Sequence, residues 1–160
     1  MQEPQLRTHP LQLRNIFLTK LNAQRFELAE ESSEREFNYN ISPRLDWSWT
    51  DDKFVIYLNL AINFTDEKNK PFELELRIAG EFDKVGDFPE DQIEPFVKQS
   101  GLHLLWPYAR SYISITTNMI GVSSLVLPTL NIGAMITEEI AGKPESPKTG
   151  KTKVSSKAHS

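Results

Sequence analysis

The cleanest pattern of apolar and polar positions lies at residues 72–78. Phe72, Leu74, Leu76 and Ile78 alternate with Glu73, Glu75 and Arg77, which is the period of a strand with one core face and one wet, mostly acidic face. The run KFVIYLNLAINF, residues 53–64, is rich in β-branched and aromatic residues and predicts a second strand. DEKNKP, from Asp66, supplies the turn between the two. After Pro43, Leu45, Trp47 and Trp49 alternate with Arg44, Asp46 and Ser48, predicting a strand with a heavy aromatic face that ends at the Asp51-Asp52 turn. The alternation from Leu11 is less regular: Leu11, Leu13, Asn15, Phe17 and Thr19 interleave with Gln12, Arg14, Ile16, Leu18 and Lys20, so neither face is purely polar, and a strand is favoured over a long helix. Residues 29–44, with Phe37, Tyr39 and Ile41 alternating, read as a long crossing connection of partly extended character.

Helices are expected after the strands. Pro89-Glu90-Asp91 starts a short helix in QIEPFVKQS, limited by Pro95 and closed by Gly101. The stretch from Leu104 to Ile132 holds one ionised side chain, Arg110. On a helix starting near Pro107 and stopping at Gly121, Tyr108, Tyr112, Ile115 and Met119 make one stripe, and Ala109, Ile113, Thr116 and Ile120 make a second beside it. Together they predict a wide buried face, with Ser111, Ser114, Thr117 and Asn118 on a remaining side suited to a close neighbour. Residues 122–132 are too apolar for a solvent loop, and a last amphipathic helix is expected at about 132–141. Consecutive strands joined by short polar turns form an antiparallel meander, and strands followed by helices give an α+β domain.

Length and composition narrow the organisation. The chain of 160 residues fits a single domain at 11–142, between a loose N-terminal arm at 1–10 and a tail at 143–160 whose Lys, Ser, Thr, Pro and Gly cannot build a core and are expected to be disordered. The absence of cysteine excludes disulfides and thiolate chemistry and suits a reducing cytosol. No segment reaches the roughly 18–20 continuous apolar residues of a membrane span, and no leader-like apolar run opens the chain, so a soluble cytoplasmic protein without membrane insertion is expected. The net charge is −4, yet the tail carries five lysines against Glu145 alone, a local +4 that leaves −8 for the rest. An acidic body repels nucleic acid and leaves room for a basic partner.

Catalytic chemistry has no foothold in the sequence. His9, His103 and His159 are far apart, no zinc-ligand spacing is present, and no serine stands in a nucleophile elbow. Thr149-Gly150-Lys151-Thr152 ends like a phosphate-binding loop but lacks its first glycine and the flanking strand and helix. No enzyme activity, metal or cofactor is therefore expected. Apolar surface is what remains. Phe37, Tyr39, Trp47, Trp49, Tyr108, Tyr112 and the 122–132 loop exceed what one small sheet and two helices need to bury, which suggests an assembly interface, a groove for apolar peptide, or both.

Leu-Leu-Trp-Pro-Tyr-Ala-Arg at 104–110, followed by an apolar helix and by Leu127-Pro128-Thr129-Leu130-Asn131-Ile132, resembles the SecB family of bacterial export chaperones. Arg14 to Phe17, Pro43 to Trp49 and Phe72 to Gly86 are similar to its first, second and fourth strands. The resemblance implies a four-stranded antiparallel sheet with helices packed on one side, a homotetramer built as a dimer of dimers, and an ATP-independent holdase without enzymatic activity that hands unfolded preproteins to SecA. It implies client binding by Phe37, Tyr39, Ile41, Trp47, Trp49, Val126, Leu127, Leu130 and Ile132, and an oligomer interface at Tyr108, Tyr112, Ile115 and Met119. It also implies SecA docking at Glu27, Glu73 and Glu75. Glu73 stands where the family has an apolar residue, Trp47 and Trp49 replace smaller aliphatics, and the tail is basic where export chaperones finish acidic. Such departures are typical of SecB-like chaperones dedicated to the antitoxin of a toxin-antitoxin system, which is the alternative role. A structural adaptor without client binding is the reading from another class.

Overall fold

A computed structural model describes residues 8–27, 35–50, 53–130 and 148–154, with the side chains of 35, 36 and 148–154 excepted. Ile132 and the expected helix at 132–141 lie outside them. Five strands, β1 (Leu11–Arg25), β2 (Arg35–Trp49), β3 (Lys53–Phe64), β4 (Phe72–Lys84) and β5 (Lys148–Val154), form one antiparallel sheet in the order β1-β4-β3-β2-β5. The expected meander is β2 to β4. β1 pairs with the far side of β4, so the chain crosses from one edge to the other before β2, a Greek-key arrangement. The crossing connection is shorter than expected, because Phe37, Tyr39 and Ile41 already belong to β2.

The register explains which face is core. Phe54, Ile56, Leu58, Leu60 and Ile62 of β3 lie opposite Phe82, Gly80, Ile78, Leu76 and Leu74 of β4, and directly opposed residues share a face. All are buried, and the intervening Glu73, Glu75, Val55 and Asn59 face away from this core. β1 reaches the same result with two irregularities, between Leu13 and Asn15 and between Leu18 and Lys20. Each bulge inserts an extra residue and reverses the alternation. Leu13, Ile16, Leu18, Leu21 and Ala23 thereby all stand opposite core-facing residues of β4, and the irregular alternation of this segment is resolved.

The helical layer differs from the expected two separate helices. A 3-10 turn at Glu90–Gln92, helix α1 (Ile93–Phe96), a π turn at Val97–Gly101 and helix α2 (Leu102–Met119) follow one another without a break. Gly101 does not close a helix: it has helical φ −59 and ψ −52, and a Cβ built on it would sit 3.3 Å from two carbons of Ile56. Its missing side chain lets the helix lie close on β3. Nor does Pro107 start one; it sits inside α2. Its absent N–H costs the helix a bond to the His103 carbonyl, but both residues are exposed and water can serve that oxygen. Gly121, at φ +80, ends α2 as expected. The Gly121 N–H donates to the Asn118 carbonyl and the Val122 N–H to that of Thr117, closing a Schellman motif.

β5 falls within the tail expected to be disordered. Its composition excludes a core but not a main-chain ladder, and the open edge of β2 supplies one along Arg35–Ile41.

The second close approach of helix to sheet is at Gly80, where an added Cβ would lie 2.9 Å from Leu105 Cδ2. Gly80→Ala should lower urea stability by about 1–3 kcal/mol through overpacking, and Leu105→Ala by about 2–5 kcal/mol through the cavity it leaves. Combined, the two should cost clearly less than their sum. Strict additivity in the urea cycle would show that this contact does not set the helix–sheet distance.

Candidate functional site

Apolar side chains fall on both sides of the core boundary. Phe37, Tyr39 and Ile41 are buried, at 8%, 4% and 4% exposure. Tyr39 and Ile41 lie opposite Phe64 and Ile62, continuing the buried face of β3, and the Phe37 and Tyr39 rings pack on Phe64 at 6.0 and 6.3 Å. Burial pushes the Tyr39 phenol above its ordinary pKa. Leu127 is also fully buried. These four expected client-binding residues are therefore core in this structure, because the register and the 122–130 segment place them there. Trp47 and Val126 stay exposed, and Trp49 and Leu130 are partly buried. Trp49 packs on Phe54 at 5.1 Å and has the Lys84 ammonium 5.0 Å from its ring centre.

The 122–130 segment folds back along one flank of α2 and is tied there by polar bonds inside an apolar setting. The Thr117 hydroxyl donates to the Ile113 carbonyl at 2.8 Å and accepts from the Leu125 N–H at 2.9 Å. The Trp106 indole donates to the Pro128 carbonyl at 3.0 Å. Val122, Leu125 and Leu127 are buried by this arrangement while Val126 points out. Thr117, expected on a side suited to a close neighbour, has one in the 122–130 segment and is buried as its anchor.

The opposite flank of α2 carries the four residues expected at an oligomer interface. Tyr108, Ile115 and Met119 are 44%, 58% and 77% exposed, with Tyr112 partly buried among them. Of the two stripes expected to form one buried face, only Ala109, Ile113 and Thr116 are buried; with these turned inward, the first stripe is left on the flank away from the 122–130 segment.

Charge on the outer sheet face is more balanced than the β4 alternation suggests. Arg14, Lys20, Arg44, Lys53 and Arg77 are interspersed with Asp46, Glu73, Glu75, Glu81 and Asp83. Glu75 pairs with Lys20 at 3.0 Å, and Glu73 pairs with Lys70. A polar concavity of about 450 Å³ lies between them, lined by Asn22, Gln24, Asn63 and Lys70 among others. Glu27 is exposed beyond the end of β1. The Arg77 guanidinium stacks 4.0 Å from the centre of the Tyr57 ring. Across Ala79 from Tyr57 in the register, Phe17 is 45% exposed on the same face. Sequence reasoning missed Phe17, although the spacing of the inward set Leu11, Leu13, Ile16, Leu18, Leu21 and Ala23 points to it.

Arg110 is half-buried, and its Nε has no hydrogen-bond partner among the described residues. His103 is exposed on α2, and His9 stacks on Phe96 at 4.9 Å while its Nδ1 accepts the Leu11 N–H at 3.0 Å. Among the described residues no three His, Asp or Glu side chains converge to hold a metal ion, and no helix is long and apolar enough to cross a membrane. The arrangement offers apolar contact and main-chain edges.

A family model described as preprotein translocase subunit SecB matches residues 1–143. The chain belongs to the SecB family. Among its SecB relatives, the protein-export protein SecB of Dechloromonas aromatica is 23% identical over 146 residues, covering 91% of this chain and 93% of that protein. The one from Bartonella quintana is 28% identical over 99 residues, spanning 62% of each chain. The SecB-like fold is also that of the Mycobacterium tuberculosis chaperone Rv1957, solved with a ChAD peptide from the HigA1 antitoxin Rv1956. That structure superposes with a TM-score of 0.64 at 17% identity, covering 76% of this chain and 91% of the other. The four-stranded antiparallel sheet followed by a helix is common ground between them.

Within this SecB-family chain, Thr117→Val removes the acceptor of the Leu125 N–H. The orphaned donor should cost about 1–3 kcal/mol and raise amide exchange across 122–127 more than in β3. Unchanged exchange there would show that Thr117 does not anchor the segment.

Proposed function

We propose that this SecB-family chain is an ATP-independent holdase that binds unfolded polypeptides and keeps them competent for export or assembly in the cytoplasm. The carrying observation is that a filled core coexists with large apolar side chains in water: Trp47 and Val126 on one side, Tyr108, Ile115 and Met119 on the other. Apolar burial is worth roughly 25 cal/mol per Å² and is undirected, so such surfaces accept many sequences weakly. Several weak contacts on one assembly add avidity without nucleotide chemistry.

The two sets divide the work. The α2 stripe, together with the uncovered edge of β1, supplies assembly toward a dimer of dimers. Trp47, Trp49, Val126 and Leu130 contact client, with Phe37, Tyr39, Ile41 and Leu127 as the packed wall behind them. Clients are preproteins destined for SecA. Glu27, Glu73 and Glu75 form the docking site for the basic SecA tail, and Lys20 and Lys70 must release their carboxylates for it. The antitoxin-dedicated role is the second reading, supported by the similarly folded Mycobacterium chaperone with its antitoxin peptide.

Size determination and a client-aggregation assay test the proposal together. The unaltered chain should run near four times 18.4 kDa and slow aggregation of an unfolded apolar client. Trp47→Ala should weaken client binding about 5- to 30-fold, the equivalent of 1–2 kcal/mol, with the assembly intact. Ile115→Asp with Met119→Asp should reduce the assembly below four copies. A monomer with no saturable client binding points instead to an adaptor.

SecA docking has its own readout. Glu75→Lys reverses a charge beside Lys20 and should weaken binding of the SecA tail peptide at least about tenfold, or 1.4 kcal/mol. Undiminished binding removes the sheet-face docking site.

A further inference from the structure

β5 is a strand that brings almost no core with it. It pairs with β2 in unbroken register from Arg35 opposite Val154 to Ile41 opposite Lys148, and of its residues, KTGKTKV, only Val154 is apolar. Its hold on the sheet is therefore the main-chain ladder. The net gain of such bonds and the entropy lost in ordering the backbone are of similar size, which makes an edge strand of this composition marginal and exchangeable.

The edge beneath it is well defined. The Thr65 N–H donates to the Asn38 carbonyl at 3.0 Å, so Asn38 turns its main chain toward β3. Neighbouring positions alternate in direction, and Phe37, Tyr39 and Ile41 therefore turn theirs outward to β5. Pro43 follows in the same phase, where its missing N–H is tolerated and where it ends the run of outward donors. Phe37, Tyr39 and Ile41 also carry the buried face of the sheet to this edge. The positions opposite them are Thr152, Gly150 and Lys148. A strand with large apolar residues at those three positions would extend the buried face by one strand.

We propose that residues 148–154 are a displaceable occupant of the Arg35–Ile41 edge, and that an extended segment of a non-native polypeptide, apolar at alternate positions, takes their place by main-chain pairing. The inference rests on the chaperone reading and adds its mode of client capture and a built-in competitor. The competitor is basic on an otherwise acidic chain, and salt screens that attraction. Client affinity in the unaltered chain accordingly rises with ionic strength.

The test uses a fluorescein-labelled nine-residue peptide that alternates Phe or Ile with Ser or Gln, titrated against three full-length chains. By the alternation above, the Thr152 N–H points to β2 and the Lys153 N–H points away. Thr152→Pro should tighten binding about tenfold if the tail fills nine-tenths of the edge, since apparent affinity scales with the open fraction. Lys153→Pro should leave it unchanged. Hydrogen exchange of the unaltered chain gives an independent readout: added peptide should speed exchange at 148–154 while 35–41 stays protected. Saturable binding with equal affinity for all three chains and unaltered exchange at 148–154 overturns the displaceable strand but leaves the chaperone reading standing. No saturable binding to any of the three overturns both.

Discussion

The distance between α2 and the sheet governs the molecule. Gly101 over Ile56 and Leu105 over Gly80 bring backbone and side chain to within van der Waals contact, and Ala109 and Ile113 of α2 are buried in the same layer. A single helix with its side chains is about 10–12 Å across, whereas the outer two of four strands stand roughly 14 Å apart before their side chains are counted. The helix layer therefore covers the middle of the sheet and falls short at its sides. Leu21 on β1 and Trp47 on β2 both stand opposite core-facing residues and are both 41% exposed. The apolar side chains left exposed at the sides of the sheet follow from the mismatch between one helix and four strands.

Much of this was readable in the sequence where one physical signal dominated. β3 and β4 are buried on one face along their length, so their alternation is undisturbed. β1 was harder because two bulges convert a period of two into steps of two and three, and a fixed-period reading scatters its apolar residues over both faces. Helix limits failed at Gly101 and Pro107 for a related reason: both are local stop or start signals, and the tertiary contact with Ile56 and the solvent exposure of Pro107 outweigh them. β5 left no signal, since a strand held by its backbone needs no side-chain pattern.

The candidate surfaces show the same limit. Phe37, Tyr39 and Ile41 have the same alternating aromatic and aliphatic character as Leu45, Trp47 and Trp49 on the same strand, yet the first set is buried and Trp47 is not. Which part of β2 is covered depends on the layer packed over it, the π turn included, and that layer is not encoded in β2 itself. The stripe on α2 was legible as apolar, but the rotation of the helix, with Ala109, Ile113 and Thr116 turned inward, decided that it would face outward.

The two edges of the sheet are chemically unlike, and this limits how it can grow. Among the described residues β1 presents a long unpaired edge bent by its two bulges, while β2 carries the short strand β5 over one stretch and lacks a donor at Pro43 beyond it. A sheet with two equivalent open ends propagates from copy to copy as a filament; one whose second end carries only a short, lysine-rich strand resists that growth. Two chains joined through β1 would consume both long edges and leave the short, lysine-rich ones on the outside. The same short, charged strand that leaves one edge exchangeable thus keeps that edge from seeding a filament.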